Sequence, residues 1–273
     1  MDLITTGGLH MPKLGLGTWR MEGDACTEAV LGALERGYRH LDTAEMYGNE
    51  AEVGAALAAT PVARGDIHLT TKVWPENLAP DAMRRSIETS LRKLRTPYVD
   101  LYLIHWPSPQ MNLPQALETL VKLKEEGLTR QIGVSNFTVA LMRQSVEEVG
   151  APVVCNQVEY HIALDQSKVL AYARAHGIAI TAYCPLARGG DLSAYPALVE
   201  VARRHGVTPA QAALAWLLEQ DGVAAIPKAS QPANQQANLD AAELKLTDED
   251  RAAIARLPKN ERIVSPAIAP AWD

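Results

Sequence analysis

Short apolar runs alternate with longer amphipathic stretches along almost the whole chain. Several of these runs are nearly continuous in apolar residues, which is typical of parallel strands buried on both faces. The runs predict eight strands, at 14–18, 38–43, 67–73, 99–105, 131–135, 154–159, 178–184 and 223–227. Their regular alternation with helix-like stretches indicates a parallel sheet.

The stretches between the strands have the spacing and the end signals of helices. Asn49 is a candidate N-cap for the second helix, Thr208 to Gln211 reads as a capping box, and Thr247 opens a last helix in a similar way. The predicted helices span 26–36, 50–59, 81–94, 113–126, 138–149, 165–176 and 208–220, with another from 247. Glycines that suit left-handed helix ends follow several of them, at Gly37, Gly127, Gly150, Gly177 and Gly206.

Eight strand–helix units in series favour a closed barrel over an open sheet. We therefore predict an α/β fold, a (β/α)8 TIM barrel, in which the strands form one parallel ring. Residues 3–12 resemble a short N-terminal β-hairpin that turns at Gly7-Gly8, and an extra C-terminal helix and a tail follow the last unit. No linker or repeat interrupts the pattern, so we expect a single domain over 1–273.

Composition and charge narrow the classes of partner. The chain has 273 residues, 47% of them hydrophobic, and a formal net charge of −6, which argues against a nucleic-acid partner. No apolar stretch is long enough for a membrane span, and no signal peptide is visible, so we expect no membrane association. Three widely spaced cysteines, Cys26, Cys155 and Cys184, suit free thiols in a cytoplasmic protein. The histidines show no metal-ligand spacing, so no metal site is expected.

Unusual polar residues occur at the same end of seven consecutive predicted strands. In a barrel this end is the C-terminal rim, where active sites of this fold are built. Taken singly, each could be a helix cap, a solvated side chain or a structural hydrogen-bonding group. The residues are Asp42, Lys72, His105, Ser135, Asn136, Gln157, Tyr183 and Lys228.

Asp42, Lys72 and Tyr47 form a candidate acid site. A phenol is a poor proton donor at neutral pH, and we expect a buried ammonium beside Tyr47 to lower its pKa. A carboxylate would then hold the ammonium charged and in place. The set suits protonation of an oxygen that gains negative charge, as when hydride adds to a carbonyl. The dinucleotide-binding fingerprint, the P-loop, the HExxH motif and the GxSxG elbow are absent.

The chain closely resembles the aldo-keto reductase family. The resemblance lies in motifs that occur in order across nearly the whole length. They are LGLGTW at 14–19, LDTAEMYGNE at 41–50, TKVW at 71–74, LYLIHWP at 101–107, IGVSNF at 132–137, NQVEY at 156–160, YCPL at 183–186 and IPK at 226–228. The segment 261–273 is similar to the tail of a bacterial subgroup, the B-type 2,5-diketo-D-gluconate reductases, which also act on methylglyoxal.

The resemblance implies NADPH-dependent reduction of small aldehydes and ketones, with Tyr47 as general acid, Lys72 and Asp42 tuning it, and His105 orienting the carbonyl. It implies a cofactor site made of Gly17, Thr18, Trp19, Asp42, Ser135, Asn136, Gln157, Tyr183, Cys184, Pro185, Leu186, Lys228, Ala229, Ser230, Asn234 and Asn238. It implies a substrate site made of Trp19, Tyr47, Trp74, His105, Trp106 and Trp272. The expected partner is a small carbonyl substrate, and we expect a monomer.

Two alternatives are kept beside this interpretation. The first is a non-catalytic regulatory subunit that binds a nicotinamide cofactor on the same barrel, which the intact set of Asp42, Tyr47, Lys72 and His105 argues against. The second is a phosphate-binding barrel isomerase, which lacks its glycine-rich phosphate loop here.

Two segments depart from the family pattern or extend beyond the barrel. Asn234 stands where family members carry an arginine that grips the adenosine 2′-phosphate, so NADPH should be preferred over NADH less sharply than in relatives. The tail 265–273 is expected to pack over the mouth of the substrate site. Trp272, Pro266 and Pro270 would supply its apolar cover.

Overall fold

A parallel sheet of eight strands forms the centre of the structure, a computed structural model that describes residues 2–273 apart from the Arg188 side chain. A separate antiparallel pair, β1 and β2, precedes it, and the parallel strands β3 to β10 then lie in chain order. The strands are β1 (Leu3–Thr6), β2 (Leu9–Pro12), β3 (Leu16–Gly17), β4 (His40–Asp42), β5 (His68–Val73), β6 (Val99–Ile104), β7 (Thr129–Ser135), β8 (Val153–Glu159), β9 (Ala179–Tyr183) and β10 (Val223–Ala225).

The first and last parallel strands meet and close the sheet into a barrel. Leu14 and Ala225 form a parallel bridge, and the Gly15 amide donates to the Ala225 carbonyl at 2.9 Å. One step further, the Gly17 amide donates to the Pro227 carbonyl at 3.2 Å. A Cβ on Gly17 would lie 2.6 Å from the Ile226 carbonyl oxygen, so this approach requires glycine. The (β/α)8 barrel predicted from the sequence is confirmed.

Helices follow the strands and pack around them. Their bounds are α1 (Gly23–Glu35), α2 (Glu50–Ala59), α3 (Pro80–Leu94), α4 (Leu113–Glu125), α5 (Val139–Arg143), α6 (Ser167–Ala175), α7 (Pro196–His205), α8 (Pro209–Leu218), α9 (Pro232–Glu243) and α10 (Asp248–Ala255). The helix predicted at 138–149 is α5 continued by a π-helical segment, Gln144–Glu148. Within the described part of the chain, no helix is both long and apolar enough to cross a membrane.

Most of the predicted helix ends are found as predicted. Thr208 and Thr247 each form a capping box with the residue three positions on. Every glycine proposed as a helix stop has a positive φ, for example +104° at Gly37 and +65° at Gly206. Asn49 is the N-cap residue of α2, as predicted, but its side chain makes no capping hydrogen bond. The Asn49 side chain instead donates to the main-chain carbonyls of Thr18 and Met21, which lie farther away in the sequence at the functional site.

The predicted hairpin closes the N-terminal end of the barrel. β1 and β2 pair from Leu3 with Pro12 to Thr6 with Leu9, and they turn at Gly7 and Gly8. The inner face of the hairpin packs on apolar residues of the barrel strands. This cluster, called the floor below, is made of Ile4, Leu9, Met11, Leu101, Leu103, Val154, Cys155, Ala179 and Ala224.

Candidate active site

A cavity of about 490 Å³ lies at the carboxyl ends of the barrel strands. Most of the residues expected at the site line it. They are Gly17, Thr18, Trp19, Asp42, Tyr47, His105, Trp106, Asn136, Gln157, Tyr183, Cys184, Pro185, Leu186 and Lys228. The structure therefore brings side chains from widely separated parts of the sequence to one rim.

A fully buried ion pair forms the base of the cavity. Lys72 Nζ on β5 lies 2.5 Å from Asp42 Oδ1 on β4, and both side chains are inaccessible to solvent or nearly so. Lys72 also donates to the Thr43 carbonyl at 2.8 Å. The other Asp42 oxygen accepts from Gln157 Nε2 at 2.7 Å. Burial lowers the pKa of Lys72, and the charge and hydrogen bond of Asp42 oppose that shift. The charge of Lys72 therefore depends on its contact with Asp42.

Tyr47 lies directly above this pair. Its hydroxyl accepts from Lys72 Nζ at 3.3 Å, and its ring centroid is 4.8 Å from that of Trp19. Burial raises the pKa of Tyr47 well above its usual value, and the carboxylate of Asp42 raises it further. The expected lowering of this pKa by Lys72 is not found, because desolvation by burial has the largest effect on it and acts in the opposite direction. Tyr47 is therefore a neutral phenol that carries its proton.

His105 lines the cavity next to Tyr47. Its ring centroid is 5.6 Å from that of Tyr47 and 5.2 Å from that of Trp74. Burial lowers its pKa well below its usual value, and the Lys72 charge adds to that shift. The imidazole is therefore neutral at physiological pH, and it can donate from one nitrogen only. Its Nδ1 is buried and has no hydrogen-bond partner among the described residues.

The turn that carries Tyr47 is held from both sides. Glu45 accepts from the Trp74 amide, from Asn77 Nδ2 at 3.1 Å and from Ser86 Oγ at 2.5 Å. On the other side, Asn49 donates to the carbonyls of Thr18 and Met21 at 2.8 and 2.9 Å. Between them Gly48 adopts φ +73°, which an L side chain rarely does. The position of the phenol is therefore set by contacts with three other segments.

Asn136, Gln157 and Tyr183 line the cavity together, and the Asn136 backbone amide donates to the Gln157 main-chain carbonyl at 2.9 Å. Asn136, at φ +63°, donates to the His105 carbonyl at 3.0 Å and accepts from the Tyr183 hydroxyl at 2.8 Å. The side-chain amino group of Gln157 donates to Asp42, which leaves the side-chain oxygen Oε1 to accept from a bound molecule. This set links the acid group at the base of the cavity to the ring of Tyr183.

Other predicted site residues do not line the cavity. Lys72 and Ser135 lie beneath it, and the Ser135 hydroxyl donates to the Gln157 carbonyl at 2.8 Å. Trp74 and Trp272 lie one contact away, against His105 and Trp106. The remaining four lie beyond Lys228, along the chain towards α9 and within it. They are the buried Ala229 and Asn238 and the exposed Ser230 and Asn234.

Six lining residues were missed by the sequence analysis: Arg20, Met46, Gly189, Ile226, Pro227 and Val264. Arg20 and Lys228 add two cationic side chains to the lining, and Lys228 Nζ donates to the Arg20 main-chain carbonyl at 3.2 Å. Arg20 immediately follows the motif at 14–19, so its position in the sequence was the available signal. Val264 carried none, because it reaches the rim only through the folded tail.

The tail lies beside the cavity more than over it. Within the described part of 261–273, only Val264 lines the cavity. Trp272 packs against Trp106 with ring centroids 6.1 Å apart, and the Arg262 guanidinium lies 3.7 Å from the centre of the Trp272 ring. Pro266 is exposed and Pro270 is half-buried. The expected cover therefore comes from Val264 and, indirectly, from Trp272.

A closed (β/α)8 barrel with a buried Asp–Lys pair, a phenol and an imidazole around a cavity at its C-terminal rim has the arrangement of a barrel enzyme. The family model of the Aldo/keto reductase family matches residues 13–259. The chain belongs to this family and is an oxidoreductase.

Characterised relatives match over almost the full length. The chain is 46% identical over 269 residues to the methylglyoxal reductase DkgB of Escherichia coli O157:H7, covering 97% of this chain and 100% of the relative. It is 40% identical over 258 residues to the methylglyoxal reductase DkgA of Yersinia pestis, covering 94% and 92%. A crystal structure provisionally assigned as a 2,5-diketo-D-gluconic acid reductase B superposes with a TM-score of 0.96 at 42% identity, covering 100% of this chain and 98% of that one.

Proposed function

We propose that the protein reduces small aldehydes and ketones, such as methylglyoxal or 2,5-diketo-D-gluconate, to alcohols with NADPH. The observation that carries the proposal is the Tyr47 hydroxyl, which accepts from Lys72 at 3.3 Å inside a cavity that His105 also lines. The names of the relatives support the substrate class. The shared property of these substrates is a small, polar carbonyl group.

Each side chain has a distinct part in the proposed mechanism. Tyr47 donates its proton to the carbonyl oxygen as that oxygen gains negative charge. Lys72 hydrogen-bonds the phenol oxygen, so it stabilises the phenolate that forms, and Asp42 keeps Lys72 charged. The neutral His105 orients the carbonyl oxygen by a hydrogen bond. Trp19 and Trp106 form apolar walls that exclude water from the reacting group.

The donor set of the cavity fits a nicotinamide cofactor. Gln157 and Asn136 supply amide groups for a carboxamide, and the Tyr183 ring lines the cavity beside them. Arg20 and Lys228 supply two cations for phosphate groups. When bound, such a cofactor supplies the hydride. We propose NADPH over NADH, because only the former carries the 2′-phosphate that a cation selects.

Turnover is the direct test of the proposal. Protein mixed with NADPH and methylglyoxal should consume the reduced cofactor, seen as a loss of absorbance at the nicotinamide band. A panel that pairs neutral aldehydes with diketo acids would rank the substrates by kcat/KM. Cofactor binding without turnover of any carbonyl compound in the panel would favour the regulatory-subunit alternative instead.

Cofactor preference has its own test at Asn234, which is exposed on α9 and adds no charge. We expect the wild type to bind NADPH about ten- to a hundredfold more tightly than NADH, since one charge-assisted hydrogen bond contributes this much. Asn234→Arg should widen the ratio of the two Kd values. Gln236→Arg adds the same charge two residues along α9 and is the matched control. Equal binding of both cofactors by the wild type would contradict the NADPH assignment.

We further propose that the protein acts as a monomer, because every side chain in the mechanism comes from one chain. Sedimentation at several protein concentrations would test this.

A further inference from the structure

One fully buried carboxylate, Glu159 at the end of β8, holds the C-terminal segment against the rim of the barrel. One of its oxygens accepts from the Ile263 amide at 2.7 Å, and the other accepts from the Val264 amide at 2.8 Å. His161 Nε2 lies 3.0 Å from the first oxygen. Glu159 and His161 are both inaccessible to solvent. The carboxylate thus joins residues more than 100 positions apart in the chain.

The position of Glu159 on β8 explains why it can join the barrel rim to the C-terminal segment. Side chains two apart on a strand point to the same face, so Glu159 lies one layer above Gln157, which hydrogen-bonds Asp42. In the neighbouring strand Glu159 is paired in register with Tyr183, which lines the cavity. Glu159 therefore lies between the cavity and the segment 262–264.

The segment that Glu159 holds is part of the cavity wall. Val264 lines the cavity, and Arg262 stacks on Trp272, which packs on the cavity residue Trp106. A buried carboxylate without donors costs several kcal/mol, so the two tail amides and the carboxylate require each other. Loss of either partner should free the segment and remove the wall beside Trp106.

We propose that Glu159 is a positioning residue that sets substrate affinity, because it holds segment 262–264 as a wall of the substrate cavity. The proposal rests on the proposed function for its substrate readout. It assigns to Glu159 no contact with the reacting atoms. Its removal should therefore change KM far more than kcat.

The test is Glu159→Gln, which keeps the side-chain volume but turns one acceptor into a donor that faces a tail amide. We expect KM for methylglyoxal to rise about tenfold with kcat within about twofold of the wild type. The Kd for NADPH should not change. Amide hydrogen exchange in the peptide that covers 261–273 should become faster.

Two further variants keep the test decisive. Ile263→Pro removes one donor from the tail, leaves the barrel untouched and changes no side chain that lines the cavity, so it should reproduce both effects even if Glu159→Gln fails to fold. Asp250→Asn is the matched control. Asp250 is also a fully buried carboxylate, but its partners Arg204, His205 and Thr247 lie away from the cavity. That control should lower Tm and leave KM unchanged.

Three outcomes would overturn the proposal. Unchanged exchange in 261–273 would show that Glu159 does not hold the segment. Faster exchange with an unchanged KM would show that the segment is not a substrate wall. A fall in kcat at constant KM would place Glu159 in the chemistry. If the wild type turned over no carbonyl compound, the proposed function would fail, while the exchange measurement would still decide whether Glu159 holds the tail.

Discussion

The two ends of the barrel are built from the same strands but are opposite in character. At the N-terminal end, the floor closes the barrel with apolar side chains such as Met11, Leu101 and Leu103, each fully buried. At the C-terminal end, the strands β4 and β5 of the same barrel present Asp42 and Lys72, which are equally buried but charged. The floor stabilises the fold by burying apolar area, whereas the desolvation of the ion pair at the rim is destabilising.

Backbone strain also differs between the two ends of the barrel. Among the described residues other than glycine, positive φ values occur at Arg20, Asn136, Cys184 and Ala187, in the rim loops, and at Arg95, which ends a helix. Such conformations cost free energy and persist where the surrounding structure enforces them. The difference between the ends indicates that different residues determine the stability of the fold and the chemistry of the site. Substitutions at the rim should mainly affect the rate, and substitutions at the floor should mainly affect folding.

The largest effect is expected from Tyr47→Phe, which removes only the rim hydroxyl. General acid catalysis contributes roughly 10²–10⁴-fold, so kcat for aldehyde reduction should fall by that factor while Tm stays nearly constant. Steady-state kinetics and thermal unfolding would measure the two. Tyr172→Phe is the control, because it removes a hydroxyl that donates to the Glu147 carboxylate, between α6 and the π-helical segment and away from the cavity. A Tyr47→Phe variant that kept most of its kcat would refute the acid assignment.

Lys72→Met should affect both rate and stability, since Lys72 is buried and also has a part in the proposed mechanism. It leaves the Asp42 carboxylate without its cation, which costs roughly 3–5 kcal/mol for a buried pair. We expect activity to be lost and the free energy of unfolding to fall together, measured by assay and by urea denaturation. Lost activity at unchanged stability would mean that water solvates the pair and that its role is purely catalytic.

Met11→Ala is the matching change at the floor. It leaves a cavity among Leu101, Val154 and other floor residues, and should cost roughly 2–5 kcal/mol of stability. The kcat of the folded variant should equal that of the wild type when it is measured well below its Tm. A drop in kcat comparable with that of Tyr47→Phe would show that the two ends are coupled.

The smallest effect near neutral pH concerns His40 and His68, whose rings lie 4.9 Å apart inside the barrel. Burial lowers the pKa of both below the ordinary value of 6.5. The unfolded chain therefore binds protons first as the pH falls. Stability should be complete above pH 6.5 and decrease below it, by about 1.4 kcal/mol per pH unit for each histidine.

Thermal unfolding between pH 8 and pH 5 would measure this decrease. His68→Asn should show a shallower decrease than the wild type, and His176→Asn, at a half-buried histidine outside the barrel interior, is the matched control. Identical pH dependence in the wild type and His68→Asn would contradict the assignment.

Some features of the structure were not predicted from the sequence, although for one of them a local signal was present. Gly206 was identified as a helix stop, but the helix before it, α7, was not predicted, although Pro196 and the basic last turn are typical helix signals. The π-helical segment 144–148 had no such signal, because it keeps the apolar spacing of a helix. The Asn49 side chain has a sequence context that favours capping, and only the tertiary contacts decide otherwise.

The sequence by itself determined the barrel, its hairpin, most helix ends and the set of rim residues, because these depend on periodicity and on motifs within a few residues of each other. Only the tertiary structure decided the pKa direction of Tyr47, the connection of Gln157 to Asp42, and the contact of Glu159 with the tail. Desolvation and long-range hydrogen bonds depend on which distant segments close over a group. Spacing along the chain does not contain that information.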